Sequence, residues 1–236
     1  MNRVQKRGVG KEVLIGVWFL TVLLWFCQAD SAFAANTIDL DGKFADWTGQ
    51  ANIADAAGDA DDDKENITKF WWADNSDESK FYWRVDRIGS KKKATYLLHI
   101  DTNNDGDFND DVDREVLVDY KPRDSDSQVD VIVRYGDTQA SISQTKNNDW
   151  GETENEGGRY VEFRASFADL GLNQSQAIRF YVVSLKGNTE EDRAPDTGDI
   201  QWSVVNVLGY PLLAGFMLGA SLLIWRKLGR RVWTEA

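Results

Sequence analysis

Strict alternation of apolar and polar side chains recurs through the middle of this chain, and it restricts the fold more than any other feature. Val129, Val131, Val133 and Tyr135 share one face of an extended segment, with Asp130 and Arg134 on the other. Val161, Phe163 and Ala165 alternate in the same way with Glu162 and Arg164, and Phe81, Trp83 and Val85 with Tyr82 and Arg84. Successive side chains of a strand point to opposite faces, so a period of two between turn residues marks strands with one buried face. Segments 68–73, 96–100, 115–120, 140–144, 178–185 and 200–204 complete the set, with Asp-, Asn- and Gly-rich turns between them. Only 166–170 reads as a helical turn. About nine or ten antiparallel strands without a long helix predict an all-β sandwich, jelly-roll or immunoglobulin-like. Residues 35–203 suffice for one such domain with its own core.

Between two of the strands lies Asp101-Thr-Asn-Asn-Asp-Gly-Asp-Phe-Asn-Asp-Asp-Val-Asp113. Asp101, Asn103, Asp105 and Asp107 occupy alternate positions, and Gly106 permits a sharp turn. This is the D-x-[DN]-x-[DN]-G spacing of a calcium loop, and hard oxygen donors suit Ca²⁺ better than zinc or copper. The loop departs from an EF-hand in two ways: Val112 stands where a bidentate Glu closes the shell, and the flanks read as strands. The expectation is a Ca²⁺ loop joining two strands, with Asp111 or Asp113 completing the ligands. The alternative is a solvated acidic turn without a metal. A second acidic group, Asp55, Asp59, Asp61, Asp62 and Asp63 ahead of Lys64, either completes a cation site or is a loop, and a loop is expected.

The ends of the chain carry targeting signals. Arg3, Lys6, Arg7 and Lys11, an apolar run over 13–26 and Ala32-Phe33-Ala34 make residues 1–34 a secretory signal peptide. The single cysteine, Cys27, falls inside that signal, so an exported domain would have no disulfide. Residues 204–225 are free of charge and would reach roughly 33 Å as a helix, enough to cross a bilayer. Arg226, Lys227, Arg230 and Arg231 follow, which places the tail 226–236 in the cytoplasm and the domain outside. Gly215 and Gly219 would permit close helix approach in a homodimer, though such spacing is common by chance.

Charge excludes one class of partner. Of 27 basic and 39 acidic residues, four and two lie in 1–34 and four and one from 204 onward, which leaves 19 against 36 between. A domain that acidic does not attract nucleic acid. It suits cation binding.

The opening Ile38-Asp-Leu-Asp-Gly-Lys-Phe-Ala-Asp-Trp47 resembles the "DGxxxDW" start of extracellular sandwiches related to carbohydrate-binding module family 9 and the DOMON group. Three later stretches follow in the same order: a paired-aromatic strand with Phe81-Tyr-Trp-Arg-Val85, then Leu98-His-Ile-Asp-Thr-Asn-Asn-Asp-Gly-Asp107, then Val161-Glu-Phe-Arg-Ala-Ser-Phe-Ala-Asp-Leu-Gly171. Ser166 stands where that last motif usually has Pro. The resemblance implies a sandwich fold and, in some members, a glycan held between two tryptophans. It speaks to fold more than to ligand.

The site candidates follow. Trp71 and Trp72 are adjacent on a strand, so one faces the core and the other outward, where an indole could stack a sugar ring. Trp150, in the polar loop 145–158, is the third candidate, and ordinary packing is the competing role for each. Trp47 is expected to pack on the sandwich edge. His99, the only histidine, is expected to be a satisfied structural residue; with Met1 in the signal and Met217 in the span, the domain lacks a second haem ligand. No nucleophile motif accompanies it, so no catalysis is expected. Ala194-Pro-Asp-Thr-Gly198 has the look of a degenerate sortase signal, although a Pro-initiated turn explains it more simply. The sequence therefore predicts a membrane-anchored, non-catalytic extracellular module, calcium-stabilised, that binds a glycan or cell-envelope component. A structural or adhesive surface protein, possibly processed by sortase, and a glycoside-active enzyme are the alternatives.

Overall fold

The computed structural model describes residues 37–75, 78–123, 127–152, 157–173 and 176–203. The expected signal 1–34, span 204–225 and tail 226–236, with Gly215 and Gly219, lie outside the described residues. Among the described residues no helix is long and apolar enough to cross a membrane.

A single 3-10 turn, Ala45–Trp47, precedes the strands β1 (Ala51–Ala54), β2 (Ile67–Asn75), β3 (Lys80–Arg87), β4 (Ala94–Asp101), β5 (Arg114–Lys121), β6 (Gln128–Tyr135), β7 (Ser141–Asn147) and β8 (Tyr160–Ser166). The helical turn α1 (Phe167–Leu170) follows, then β9 (Ala177–Lys186), β10 (Thr189–Ala194) and β11 (Ile200–Ser203). They form two antiparallel sheets. One has the order β1-β2-β3-β8; the other runs β10-β9-β4-β5-β6-β7, with β11 also on β9. The expected all-β, sandwich-like architecture is observed, with α1 where a helical turn was read. Ser166 caps α1 by accepting the Asp169 N–H, and Gly171 ends it in the left-handed region at φ 67°.

The strands β1 and β10 were not foreseen. Both lie at sheet edges, and the Thr-Glu-Glu-Asp-Arg-Ala of β10 has the charged composition that protects an edge from foreign strands. β10 shows no apolar alternation, and the four residues of β1 are too few to announce it.

Alternation places Phe70, Trp72, Phe81, Trp83, Val85, Val161 and Phe163 of the smaller sheet inside, against Tyr96, Leu98, Ile100, Val116, Val118, Val131 and Phe180 of the larger. Phe180 is the centre of that contact. Its ring meets Phe70, Trp72 and Phe81 edge-on at centroid distances of 6.1, 5.6 and 5.7 Å. Edge-to-face pairs of this kind add to the burial energy of the rings.

The "DGxxxDW" segment closes over the outer face of the smaller sheet. Glu162, fully buried on β8, accepts from the Gly42 N–H at 2.8 Å and from the Trp47 indole N–H at 2.9 Å, one to each carboxylate oxygen. Asp46 accepts the Asp39 N–H at 2.7 Å and so closes the turn. Gly42 has φ 71°, and a Cβ there would collide with the Gly151 carbonyl oxygen, so two loops meet backbone to backbone at this point. Beside it, the Arg84 guanidinium pairs with Asp86 and lies over the rings of Phe44, Tyr160 and Trp71.

Glu162→Ala leaves two buried N–H donors without an acceptor. It is expected to lower stability by about 2–4 kcal/mol, read from the urea midpoint. Lys43→Ala, which removes an exposed ion pair with Asp41 in the same turn, is expected to leave the urea midpoint unchanged.

Candidate functional site

The acidic loop sits where the sequence places it, between β4 and β5. Its two ends are buried and its middle is exposed. Asp101, the last residue of β4, turns both oxygens onto the loop's own backbone and accepts from the N–H groups of Asn104, Asp105 and Gly106. Asp113 does the same from the other end, accepting from Thr102 at 3.0 Å and Asp110 at 3.0 Å. The Asp105 carboxylate is met by the Asp107 N–H and the Asn103 amide, and Asp107 by the Asn109 N–H. Asp111 is exposed. Thus Asp101, Asn103, Asp105, Asp107 and Asp113 hold the loop together through hydrogen bonds, with Arg179 anchoring it through Asn104 Oδ1 at 2.7 Å.

Among the described residues, carboxylates converge somewhere else. Asp55, just beyond β1, Asp59 in the β1–β2 loop, Asp192 on β10 and Asp196 beyond it present oxygens that all lie within 4.8 Å of one another. The backbone brings them together. The Asp55 N–H bonds the Thr68 carbonyl at the start of β2, and Asp192 Oδ2 accepts the Ile67 N–H at 2.6 Å, tying the edge of the larger sheet to the smaller. Burial, reinforced by Asp192, Asp196 and Asp59, pushes Asp55 up to about 7, and burial pushes Asp192 up to about 6. Sequence reading singled out Asp55 and Asp59 but took them for loop residues. Nothing local marks Asp192, or Asp196 in the Ala194–Gly198 turn, as meeting carboxylates so far away in the chain.

The tryptophans divide as strand geometry requires. Trp72 faces inward, 8% exposed, between Phe180 and Trp202. Trp71 faces outward but is half-buried: its N–H donates to Asp86 Oδ2 at 2.9 Å, Lys69 Nζ stands 4.0 Å from the ring centroid, and Arg84 lies over it at 5.2 Å. Trp150 is 4% exposed, with the Arg164 guanidinium 5.2 Å over its ring. Packing encloses Trp72 and Trp150, and Trp71 is the outward member of the strand pair. Trp47 is fully buried, with its indole bonded to Glu162 of β8, an edge strand of the smaller sheet.

His99 stacks on Tyr181 at 4.7 Å, and burial between Arg134 and Arg193 pulls it down to about 4. Its ring nitrogens have no hydrogen-bond partner, so it is structural without being satisfied. The Ala194–Gly198 segment is a folded turn between β10 and β11. Ala194 is buried, and Arg193 donates to the carbonyls of Pro195 and Gly198.

No family model matches the chain, and no curated protein or solved structure is significantly similar to it. What defines it is its own architecture: two antiparallel sheets with a carboxylate-rich seam at one edge.

The buried carboxyls set the pH response. Folding raises Asp55 and Glu162 to about 7 and Asp192 to about 6, above their unfolded values, so the folded state binds more protons between those limits. Their contribution is therefore largest at low pH and is lost as pH rises through 6–7. His99 has the opposite sign, because its folded value lies below 6.5 and protonation of the unfolded chain costs stability there. Three groups outweigh one. In EDTA, the melting temperature is expected to rise as pH is lowered from about 7.5 to about 6. A fall over that window in thermal melts would contradict these assignments.

Proposed function

We propose that this chain is an exported, membrane-anchored surface module that acts without catalysis, as a structural or adhesive element and not as a sugar receptor. The observation that supports this reading is the filling of every tryptophan position the sequence offered for stacking. A sugar ring needs an open aromatic face. Trp72 and Trp150 are enclosed, and the outward Trp71 already has Lys69 and Arg84 against its ring. The hollow beside Trp150, lined by Lys80, Val131, Thr145 and Arg164, holds about 170 Å³. Small-molecule sites usually hold roughly 300–1,000 Å³.

The carboxyls also favour a non-catalytic role. Glycoside hydrolysis needs two carboxyl groups facing each other across an open cleft. Glu162 lies under the N-terminal clasp with both oxygens bonded, and Asp86 is held by Arg84 and Trp71. The proposed partner is a cell-envelope component met by the outer surface, with residues 204–225 holding the module at the membrane.

A glycan array probed with the full-length protein in mild detergent is expected to show no binding above background. Intrinsic tryptophan fluorescence is expected to stay constant with millimolar sugars. A reproducible hit that Trp71→Ala abolishes would replace this reading with sugar binding.

A further inference from the structure

In the seam formed by Asp55, Asp59, Asp192 and Asp196, the buried Asp192 accepts the backbone N–H groups of Ile67 and Arg193. Among the described residues, none of the four pairs with a lysine or arginine. Asp55 Oδ2 is enclosed and has no hydrogen-bond partner. A second observation comes from a residue outside the acidic group. Asn66 is 1% exposed and sits between the two sides of the seam: its amide Nδ2 donates to Asp59 Oδ1 at 3.2 Å, and the N–H of the next residue, Ile67, donates to Asp192. Its remaining atom, Oδ1, is buried without a partner. A buried acceptor left unpaired is costly, and this one belongs to an amide that already reaches the seam through Asp59.

We propose that Asp55, Asp59, Asp192 and Asp196, together with the side-chain oxygen of Asn66, form a calcium site that staples the β1 edge of the smaller sheet to the β10 edge of the larger. The spread of the ligands fits. Calcium takes six to eight oxygens at roughly 2.3–2.6 Å, so ligands on opposite sides of the ion stand about 5 Å apart. The four carboxylates lie within 4.8 Å of one another. The donors are all hard oxygens, with no imidazole or thiolate, which disfavours zinc and copper. Magnesium demands a tighter octahedron and keeps its waters, whereas four carboxylates and an amide on separate segments suit the looser calcium shell. In the 101–113 loop both oxygens of Asp101 and of Asp113 are bound by backbone N–H groups, whereas in the seam Asp55 Oδ2 has no hydrogen-bond partner.

The test uses full-length protein in detergent, stripped with EDTA and titrated calorimetrically with CaCl₂, with thermal melts in parallel. Asp59→Asn/Asp196→Asn removes two exposed ligands, neither of which carries a backbone hydrogen bond of the fold. Asp105→Asn/Asp107→Asn alters the acidic loop instead. Calcium is expected to raise the wild-type melting temperature by about 5 °C or more, and magnesium by much less. D59N/D196N, with a circular dichroism spectrum matching the chelated wild type, should bind one Ca²⁺ fewer and lose most of the shift. D105N/D107N should keep that shift. The proposal fails if calcium leaves the melt unchanged or if D59N/D196N binds as many ions as the wild type. It also fails if only D105N/D107N removes the response, and equal shifts from both metals would overturn the assignment to calcium.

Discussion

Backbone N–H groups, not lysines and arginines, hold most of the buried carboxylates of this protein, and the loop structure follows from that. With 39 acidic residues against 27 basic ones, the chain cannot give every carboxylate a cation. An ionised carboxylate removed from water needs hydrogen bonds to remain tolerable. Asp101 takes three N–H groups of the loop that follows it, Asp113 takes two, Asp192 takes those of Ile67 and Arg193, and Glu162 takes Gly42 and the Trp47 indole. Each bond fixes where a loop runs relative to a sheet. The acidic residues thus act as internal staples before they act as anything else.

How far this was legible depends on the range of the interaction. The central strands announce themselves through period two, a signal carried entirely by neighbours in the chain. The helical turn after β8 does so through Ser166 and Gly171, its two caps. The edge strands are silent for two reasons: β1 is only four residues long, and β10 is charged where an edge needs charge and not alternation. The 101–113 loop was located correctly by its Gly and its Asp spacing. Spacing cannot reveal that the carboxylates turn onto their own backbone, because that depends on φ and ψ along the loop. Here Asn104 adopts φ 61° and Gly106 φ 95°. The convergence of Asp55 and Asp59 with Asp192 and Asp196 lies wholly beyond a local pattern, since it is made by sheet packing.

The tryptophans show the same division. Alternation dictates that Trp71 and Trp72 point to opposite faces, but only the pairing of Trp72 with Trp83 and its contact with Phe180 decide which one is inside. Trp150 lies in a polar loop and would be read as exposed. It is buried because that loop is pressed down at both sides. Gly151, at φ 103°, lies so close to Tyr120 that a Cβ would stand 2.9 Å from the ring, and its carbonyl meets Gly42 of the opening motif. A motif that resembles the start of a sugar-binding module therefore serves here to close the outer face of a sheet.

The two unforeseen strands and the unforeseen carboxylates belong to one physical problem. β1 and β10 are edges, and a β-sandwich must keep its edges from pairing with other chains while still holding its two sheets together. Aromatic packing around Phe180 holds the centre. Away from it, the bond from the Ile67 N–H to Asp192 joins the sheets at this seam, with the negative charge of Asp55, Asp59 and Asp196 concentrated beside it. That charge repels foreign strands, and for the same reason it pushes the two edges apart. A divalent ion at the proposed calcium site would reconcile these demands, neutralising the seam from within and leaving the outer surface acidic. Protonation also relieves the repulsion, and burial pushes Asp55 up to about 7 and Asp192 up to about 6. An edge guarded by carboxylates is thus also the part of the sandwich whose closure depends most on its ionic surroundings.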